Sequence, residues 1–158
     1  VSTKADVATK SHTVTLTHRG KSSSSGSEMT LVIADDNAWT AGADGTYGKG
    51  YEYTKDGIKF GYYKYKSTSD ATAPKEDHIR IYKNSVFVVI PPTGKKVEKV
   101  VLNCYSDKCS NMTVLSDNTI AVSDATNNTV TWTGSVDTFA AQADIAQIRA
   151  KSITVVLK

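Results

Sequence analysis

Residues 58–66 read Ile-Lys-Phe-Gly-Tyr-Tyr-Lys-Tyr-Lys, and the character of their side chains alternates. Successive side chains of a β-strand point to opposite faces of its sheet. In this segment one face would hold Ile58, Phe60 and Tyr62, and the other Lys59, Gly61, Tyr63 and Tyr65. The first set is typical of a face packed on a core, and the second of a face turned outward. Residues Ile58–Lys66 therefore predict a half-buried strand.

Similar short segments recur at intervals of roughly ten residues, separated by Gly, Asn, Asp, Ser or Pro, which is typical of a β-sandwich. The other predicted strands are Thr13–His18, Glu28–Ala34, Gly50–Thr54, His78–Lys83, Val86–Ile90, Val97–Cys104, Met112–Leu115, Ile120–Ser123, Thr129–Thr133 and Ser152–Leu157. The 158 residues include 16 Val, 9 Ile and 20 Thr but only 5 Leu, a balance that favours strands over helices. The sequence predicts an all-β protein, an antiparallel β-sandwich of jelly-roll type, with residues 1–158 forming a single domain.

Two segments do not read as strands. The serine run Ser22–Ser27 lies between two predicted strands and is interpreted as a long hairpin loop. Alanine and glutamine in Ala140–Ala150 favour a helical turn.

Charge and motifs exclude several classes of function. The net charge is +3, and only 3 of the 19 basic residues are arginine, which does not favour nucleic-acid binding. No apolar run approaches the roughly 18 residues that a membrane-spanning helix needs. Nucleophile elbows, phosphate-binding loops and His-Glu-x-x-His motifs are missing, so the sequence predicts a non-catalytic protein without membrane insertion.

The aromatic residues are unevenly distributed along the chain. Of its 2 Trp, 8 Tyr and 3 Phe, eight lie between Trp39 and Tyr65. Tyrosine combines an apolar ring with a hydroxyl that stays hydrated at a surface, and sugars present apolar C–H faces beside a polar rim. A ligand-binding surface is therefore predicted from Trp39, Tyr47, Tyr51, Tyr63, Lys64 and Tyr65. Core packing of these tyrosines is the alternative.

Two further features have alternative interpretations. Cys104 and Cys109 either form a disulfide that closes a turn or remain free thiols, since no third and fourth zinc ligand accompanies them. Asp35, Asp36 and Asp44 are weak candidates for calcium ligands, although an Asp-Asp-Asn triplet is more typical of a turn. No other cofactor is predicted.

Five segments resemble a known family in their order along residues 50–158. They are Asp56–Phe60, His78–Ser85, Pro92–Cys104, Thr131–Ser135 and Ile148–Leu157. Their sequence is similar to that of the β-sandwich accessory modules of secreted polysaccharide-degrading and surface proteins from gut and rumen bacteria. Such modules have jelly-roll or galactose-binding-like folds, and several are carbohydrate-binding modules of cellulosomal and related enzymes. Residues 1–49 match no part of the family pattern, and Ala140–Ala150 is a longer insertion than usual.

The resemblance and the aromatic residues together lead us to expect a carbohydrate-binding module. It would attach an extracellular or cell-surface enzyme to plant cell-wall polysaccharide, with β-glucan, xyloglucan or mannan favoured over pectin. The expected form is a monomeric module within a larger multidomain protein. A structural or adhesive module that binds protein or spaces domains is the alternative expectation.

Overall fold

A computed structural model describes residues 26–158, which form 12 β-strands and no helix. The strands are β1 (Ser27–Val32), β2 (Thr40–Asp44), β3 (Gly48–Lys55), β4 (Ile58–Tyr63), β5 (Ile79–Ile81), β6 (Val86–Ile90), β7 (Val97–Cys104), β8 (Met112–Val114), β9 (Thr119–Asp124), β10 (Thr129–Val136), β11 (Phe139–Gln142) and β12 (Ile148–Leu157). No helix within this part of the chain is long and apolar enough to cross a membrane.

The strands form one antiparallel sheet that curls on itself. Its order is β1-β12-β7-β10-β9-β8-β11-β6-β4-β3-β2. The short β5 pairs with residues 148–150 at the start of β12. Strand β9 pairs with β10 on one side and with β8 on the other, so it joins two layers. The first layer consists of β1, β12, β7, β10, β9 and β5, and the second of β8, β11, β6, β4, β3 and β2. The predicted all-β antiparallel fold is confirmed, with both layers belonging to one continuous sheet.

The core lies between the two layers, where alternate side chains of facing strands meet. Phe60 and Tyr62 of β4 are 0% and 1% exposed, as their alternation predicted. Opposite them, β7 and β12 contribute Leu102, Ile153 and Val155 to the same cluster. Burial of such apolar surface is the main favourable term in folding, and it fixes the register of the strands.

Two strands differ from the sequence prediction because packing overrides local propensity. The helical turn predicted for Ala140–Ala150 is wrong, since β11 occupies its first residues and β12 begins at Ile148. Strand β11 lies between β6 and β8, and its small side chains Ala140 and Ala141 are buried on opposite faces of the sheet. Strand β2, which reads Thr-Ala-Gly-Ala-Asp, has little β propensity and was not predicted.

Other boundaries agree closely with prediction. Val86–Ile90 and Val97–Cys104 are strands with the predicted limits. The predicted strand Thr13–His18 lies outside the described residues, as do residues 22–25 of the predicted loop.

Candidate functional site

Trp39 belongs to the core. Its side chain is 7% exposed, and its ring centroid lies 5.7 Å from that of Tyr53 and 5.4 Å from that of Tyr62. The indole Nε1 donates a hydrogen bond of 2.9 Å to the carbonyl oxygen of Asp36. The prediction that this ring is available to a ligand is therefore wrong, because the chain before β2 folds Trp39 inward beneath β3 and β4.

Tyr63 lies on the outer face of β4, as its alternation predicted, but it is 1% exposed. Its hydroxyl donates a hydrogen bond of 2.8 Å to Glu52 Oε1, and burial raises the pKa of this phenol. The ring extends over Gly61, where a Cβ atom would collide with the tyrosine hydroxyl. The expected exposed ring is therefore absent, since the ring lies flat on the sheet with its polar end already bonded.

Tyr47 and Tyr65 cover Tyr63 from the solvent side. Their ring centroids are 5.3 Å apart at an interplanar angle of 78°, and both side chains are half-buried against the cluster that contains Tyr63, Val86 and Val88. Tyr65 has a φ of 49°, and its N–H donates to the carbonyl oxygen of Tyr47 at 2.9 Å. The predicted strand therefore ends at Tyr63 instead of Lys66, and the two rings meet edge-on.

Tyr51 and Lys64 line a groove at the β2–β3 edge, on the face opposite Tyr63. This groove, which we call the Tyr51 groove, has a volume of about 580 Å³. Its lining consists of Ala41, Gly42, Ala43, Lys49, Gly50, Tyr51, Lys64, Asp70 and Ala71. The residues of β2 are small, so they form the bottom of the groove. The half-buried ring of Tyr51 and the charged side chains form its walls.

The Tyr51 groove combines a fixed ring with polar groups. The ring of Tyr51 stacks on Tyr62, with centroids 5.9 Å apart and planes 25° apart, so packing holds it in position. Lys64 Nζ lies 2.7 Å from Asp70 Oδ1, and this hydrogen bond holds the pKa of Asp70 below its usual value. The groove thus offers hydrogen-bond donors and an acceptor beside an aromatic surface.

Asp70 and Lys49 were missed by the sequence analysis. Asp70 lies in a loop of Ser, Thr and Ala, and Lys49 lies between two glycines, so neither has a distinguishing pattern. The only local signal was the run of small residues in β2, which leaves space beside Tyr51.

The weak calcium candidates have other partners. Asp36 accepts hydrogen bonds from the Tyr53 hydroxyl at 3.1 Å and from Lys55 Nζ at 2.9 Å. Asp44 Oδ1 accepts from the backbone N–H groups of Thr46 and Tyr47, which closes the β2–β3 turn. Asp35 is exposed, and within residues 26–158 no three His, Cys, Asp or Glu side chains converge on a metal site.

Both cysteines are free thiols in this structure, so the disulfide alternative is not formed. Cys104 is buried at the end of β7, and Cys109 is half-buried after the following turn. Burial raises the pKa of Cys104, which lowers its reactivity.

Comparison with known proteins adds no family assignment. No family model matches the sequence, and no curated protein matches it significantly.

Proposed function

We propose that this protein is a non-catalytic carbohydrate-binding module. It attaches a secreted or cellulosomal enzyme to plant cell-wall polysaccharide at an extracellular or cell-surface location, as a monomeric module of a larger protein. The observation that carries the proposal is the Tyr51 groove, in which an immobilised tyrosine ring lies beside Lys64 and Asp70.

The dimensions and chemistry of the groove support the binding of a saccharide. Its volume of about 580 Å³ lies within the range typical of small-molecule sites. The face of the Tyr51 ring suits the apolar C–H surface of a pyranose. Lys64 donates to hydroxyl groups and Asp70 accepts from them, and their ion pair leaves Lys49 as the remaining charge of the lining. The Tyr51 ring supports a neutral β-glucan, xyloglucan or mannan as the favoured ligand, and Lys49 supports pectin as the alternative.

The proposed contacts differ from those predicted by sequence. Trp39 supports the site from the core through Tyr62, and Tyr63 lies on the opposite face of the sheet. Tyr51, Lys64 and Asp70 contact the ligand. A shallow site of this kind gives micromolar to millimolar affinity, since the ligand loses freedom on binding. Attachment to an enzyme makes such an affinity useful, because tethering raises the local concentration of catalytic domain and substrate.

Affinity gel electrophoresis tests the proposal directly. The protein would be run through gels that contain soluble β-glucan, xyloglucan, mannan, xylan or pectin. We expect retardation by a neutral polysaccharide that is lost in Tyr51→Ala and reduced in Asp70→Asn. Asp70 is largely exposed, with 86% of its side chain accessible, so its variant leaves the fold intact.

Tyr65→Ala is the matched control, since Tyr65 is also a half-buried tyrosine but lies on the opposite face. Retention of binding in this variant would assign the ligand to the groove. Unchanged mobility of the wild-type protein on every polysaccharide would refute the proposal. Loss of retardation in Tyr65→Ala alone would move the site to the outer face.

One observation favours the adhesive or spacer role as a second candidate. A row of uncharged side chains crosses five strands of the first layer on its outer face, namely Thr30, Thr154, Val101, Thr131 and Val122. Val122 and the nearby Ile120 are 57% and 59% exposed. An uncharged β-face with exposed apolar side chains suits contact with another protein surface. This role predicts no retardation by any polysaccharide in the same gels.

A further inference from the structure

Arg80 and Arg149 face each other across two antiparallel strands. They are directly opposed in the register of β5 and β12. Their neighbours along each strand are buried, so both arginine side chains lie on the outer face, where each is half-buried. These are the two arginines of the described part of the chain. We call them the arginine pair.

This arrangement is unfavourable in the absence of a counter-charge. Like charges that lie directly opposite each other on neighbouring strands destabilise a sheet. Within residues 26–158, neither arginine lies within ion-pair distance of a carboxylate. The Nε atoms of both are buried without a hydrogen-bond acceptor among those residues. Buried donors are normally paired, so the Nε groups of two directly opposed arginines depart from the usual pattern.

Asp77, the nearby acidic residue, does not fill this role. One of its carboxylate oxygens is hydrogen-bonded to His78 Nδ1 at 2.8 Å, and the other accepts from the Tyr105 hydroxyl. These bonds lower the pKa of Asp77, and they hold its carboxylate toward His78 and Tyr105.

The surroundings of the arginine pair are basic and aromatic. Lys151 Nζ lies 5.3 Å from the ring centroid of Tyr105. The pKa of Tyr82 is below its usual value, first because of a hydrogen bond with Thr72, then because of a hydrogen bond with Arg80 and the charges of Arg80 and Lys75. Lys151 therefore lies beside Tyr105, and Lys75 and Arg80 lie near Tyr82. The two tyrosines and the two lysines surround the arginine pair.

We propose that the arginine pair is an oxyanion-binding site, which takes the carboxylate, sulfate or phosphate group of an anionic ligand. Guanidinium groups present fixed forks of N–H donors that match the oxygens of these anions. A bound oxyanion would accept from the two orphaned Nε groups and offset the repulsion between the two side chains. The source is either the uronate of an acidic saccharide or a free inorganic anion.

The site is separate from the Tyr51 groove. The arginine pair lies on β5 and β12 in the first layer, whereas the groove is formed at the β2–β3 edge of the second. Binding of an anion at one site therefore does not depend on the binding of a neutral polysaccharide at the other.

Thermal unfolding and titration calorimetry with defined anions test this site. The probes are trigalacturonate, sodium sulfate and sodium phosphate, each compared with sodium chloride at the same ionic strength. We expect a saturable rise in Tm with at least one oxyanion. Arg149→Gln should weaken its apparent affinity by about tenfold or more, as for other hydrogen bonds to charged groups.

Lys99→Gln is the matched control, because Lys99 is an exposed cation of the same layer that lies on β7, away from the arginine pair. It should retain the anion response. Tighter binding of trigalacturonate than of sulfate or phosphate would identify a saccharide uronate as the source, and the reverse order an inorganic anion. No response to any oxyanion beyond chloride, or equal loss in Lys99→Gln, would overturn the proposal.

Arg149→Glu provides a test that does not depend on the choice of probe. This substitution places a carboxylate opposite Arg80, so it should raise the Tm of the protein without ligand and abolish the anion response. A Tm no higher than that of Arg149→Gln, or a persistent response to the anion, would contradict the assignment.

Discussion

The lysines of β3 and β4 differ from the arginines of β5 and β12 in whether a carboxylate of the described residues lies beside them. Lys55 and Lys59 lie 2.9 and 3.1 Å from the carboxylates of Asp36 and Glu52. Arg80 and Arg149 lie opposite each other instead. A lysine that is paired with a carboxylate of the protein helps to hold the surface residues in place. Two arginines that face each other without a carboxylate among the described residues are available to an anionic ligand. The difference separates structural ionic contacts from a binding site.

The largest expected loss of stability concerns the buried ring of Trp39, which packs beneath β3 and β4. Trp39→Ala should lower the free energy of unfolding by about 3–5 kcal/mol, because it removes a buried ring and leaves a cavity beside Tyr53 and Tyr62. Urea denaturation followed by circular dichroism measures this loss, with Trp39→Phe as the conservative control. Unchanged stability together with lost polysaccharide binding would show that Trp39 contacts the ligand instead of stabilising the core.

A smaller effect tests the polar contact that holds Tyr63 on the sheet. Tyr63→Phe removes the hydroxyl that donates to Glu52, so the free energy of unfolding should fall by about 1 kcal/mol. Glu52 keeps its ion pair with Lys59, which limits the loss. Tyr65→Phe serves as the control and should change stability by less than about 0.5 kcal/mol. Equal effects of the two variants would show that this hydrogen bond does not stabilise the fold.

Removing one charge from each region should change stability in opposite directions. Lys59→Met breaks a pair and should lower the free energy of unfolding by about 0.2–1 kcal/mol. Arg149→Met removes a repulsion and should raise it by a similar amount. Both effects should shrink when denaturation is repeated in high salt, because salt screens charges. Two losses of equal size would remove the distinction between the regions.

The smallest expected effect is a decrease in Tm at low pH, caused by protonation of Asp36. The hydrogen bond from Lys55 is the main cause that lowers the pKa of Asp36 below its ordinary value of 3.8. A group whose pKa is lower in the folded state stabilises the fold above its unfolded pKa and loses that contribution as pH falls through the folded value. We therefore expect Tm to decrease as pH falls below 3.8, and to decrease less in Lys55→Met. A steeper acid loss in the variant would contradict this linkage.

The sequence predicts the fold better than the site because alternation reports which face a residue occupies, but not what covers that face. Tyr63 lies on the predicted outer side of β4, yet Tyr47 folds over it from a turn that precedes β3. Strands β2 and β11 were missed because their alanines and glycine pack in place without a strand-like pattern.

The arginine pair shows the same limit more strongly. Arg80 and Arg149 are nearly half the chain apart, and only the register between β5 and β12 brings them together. A one-residue change in that register would turn one side chain toward the core and the other toward solvent. Long-range register of this kind is set by the whole core and is not encoded near either arginine.

The stack of rings that runs from the groove into the core makes ligand binding visible to spectroscopy. Tyr51 stacks on Tyr62, and Tyr62 packs on Trp39, so two tyrosine rings connect the groove to a buried indole. The other tryptophan, Trp132, lies against Phe139, with its Nε1 bonded to Thr119 and Asp117. The two emitters therefore sit in separate environments, and only Trp39 is coupled to the groove. Its emission reports occupancy of the groove, while that of Trp132 provides an internal reference within the same molecule.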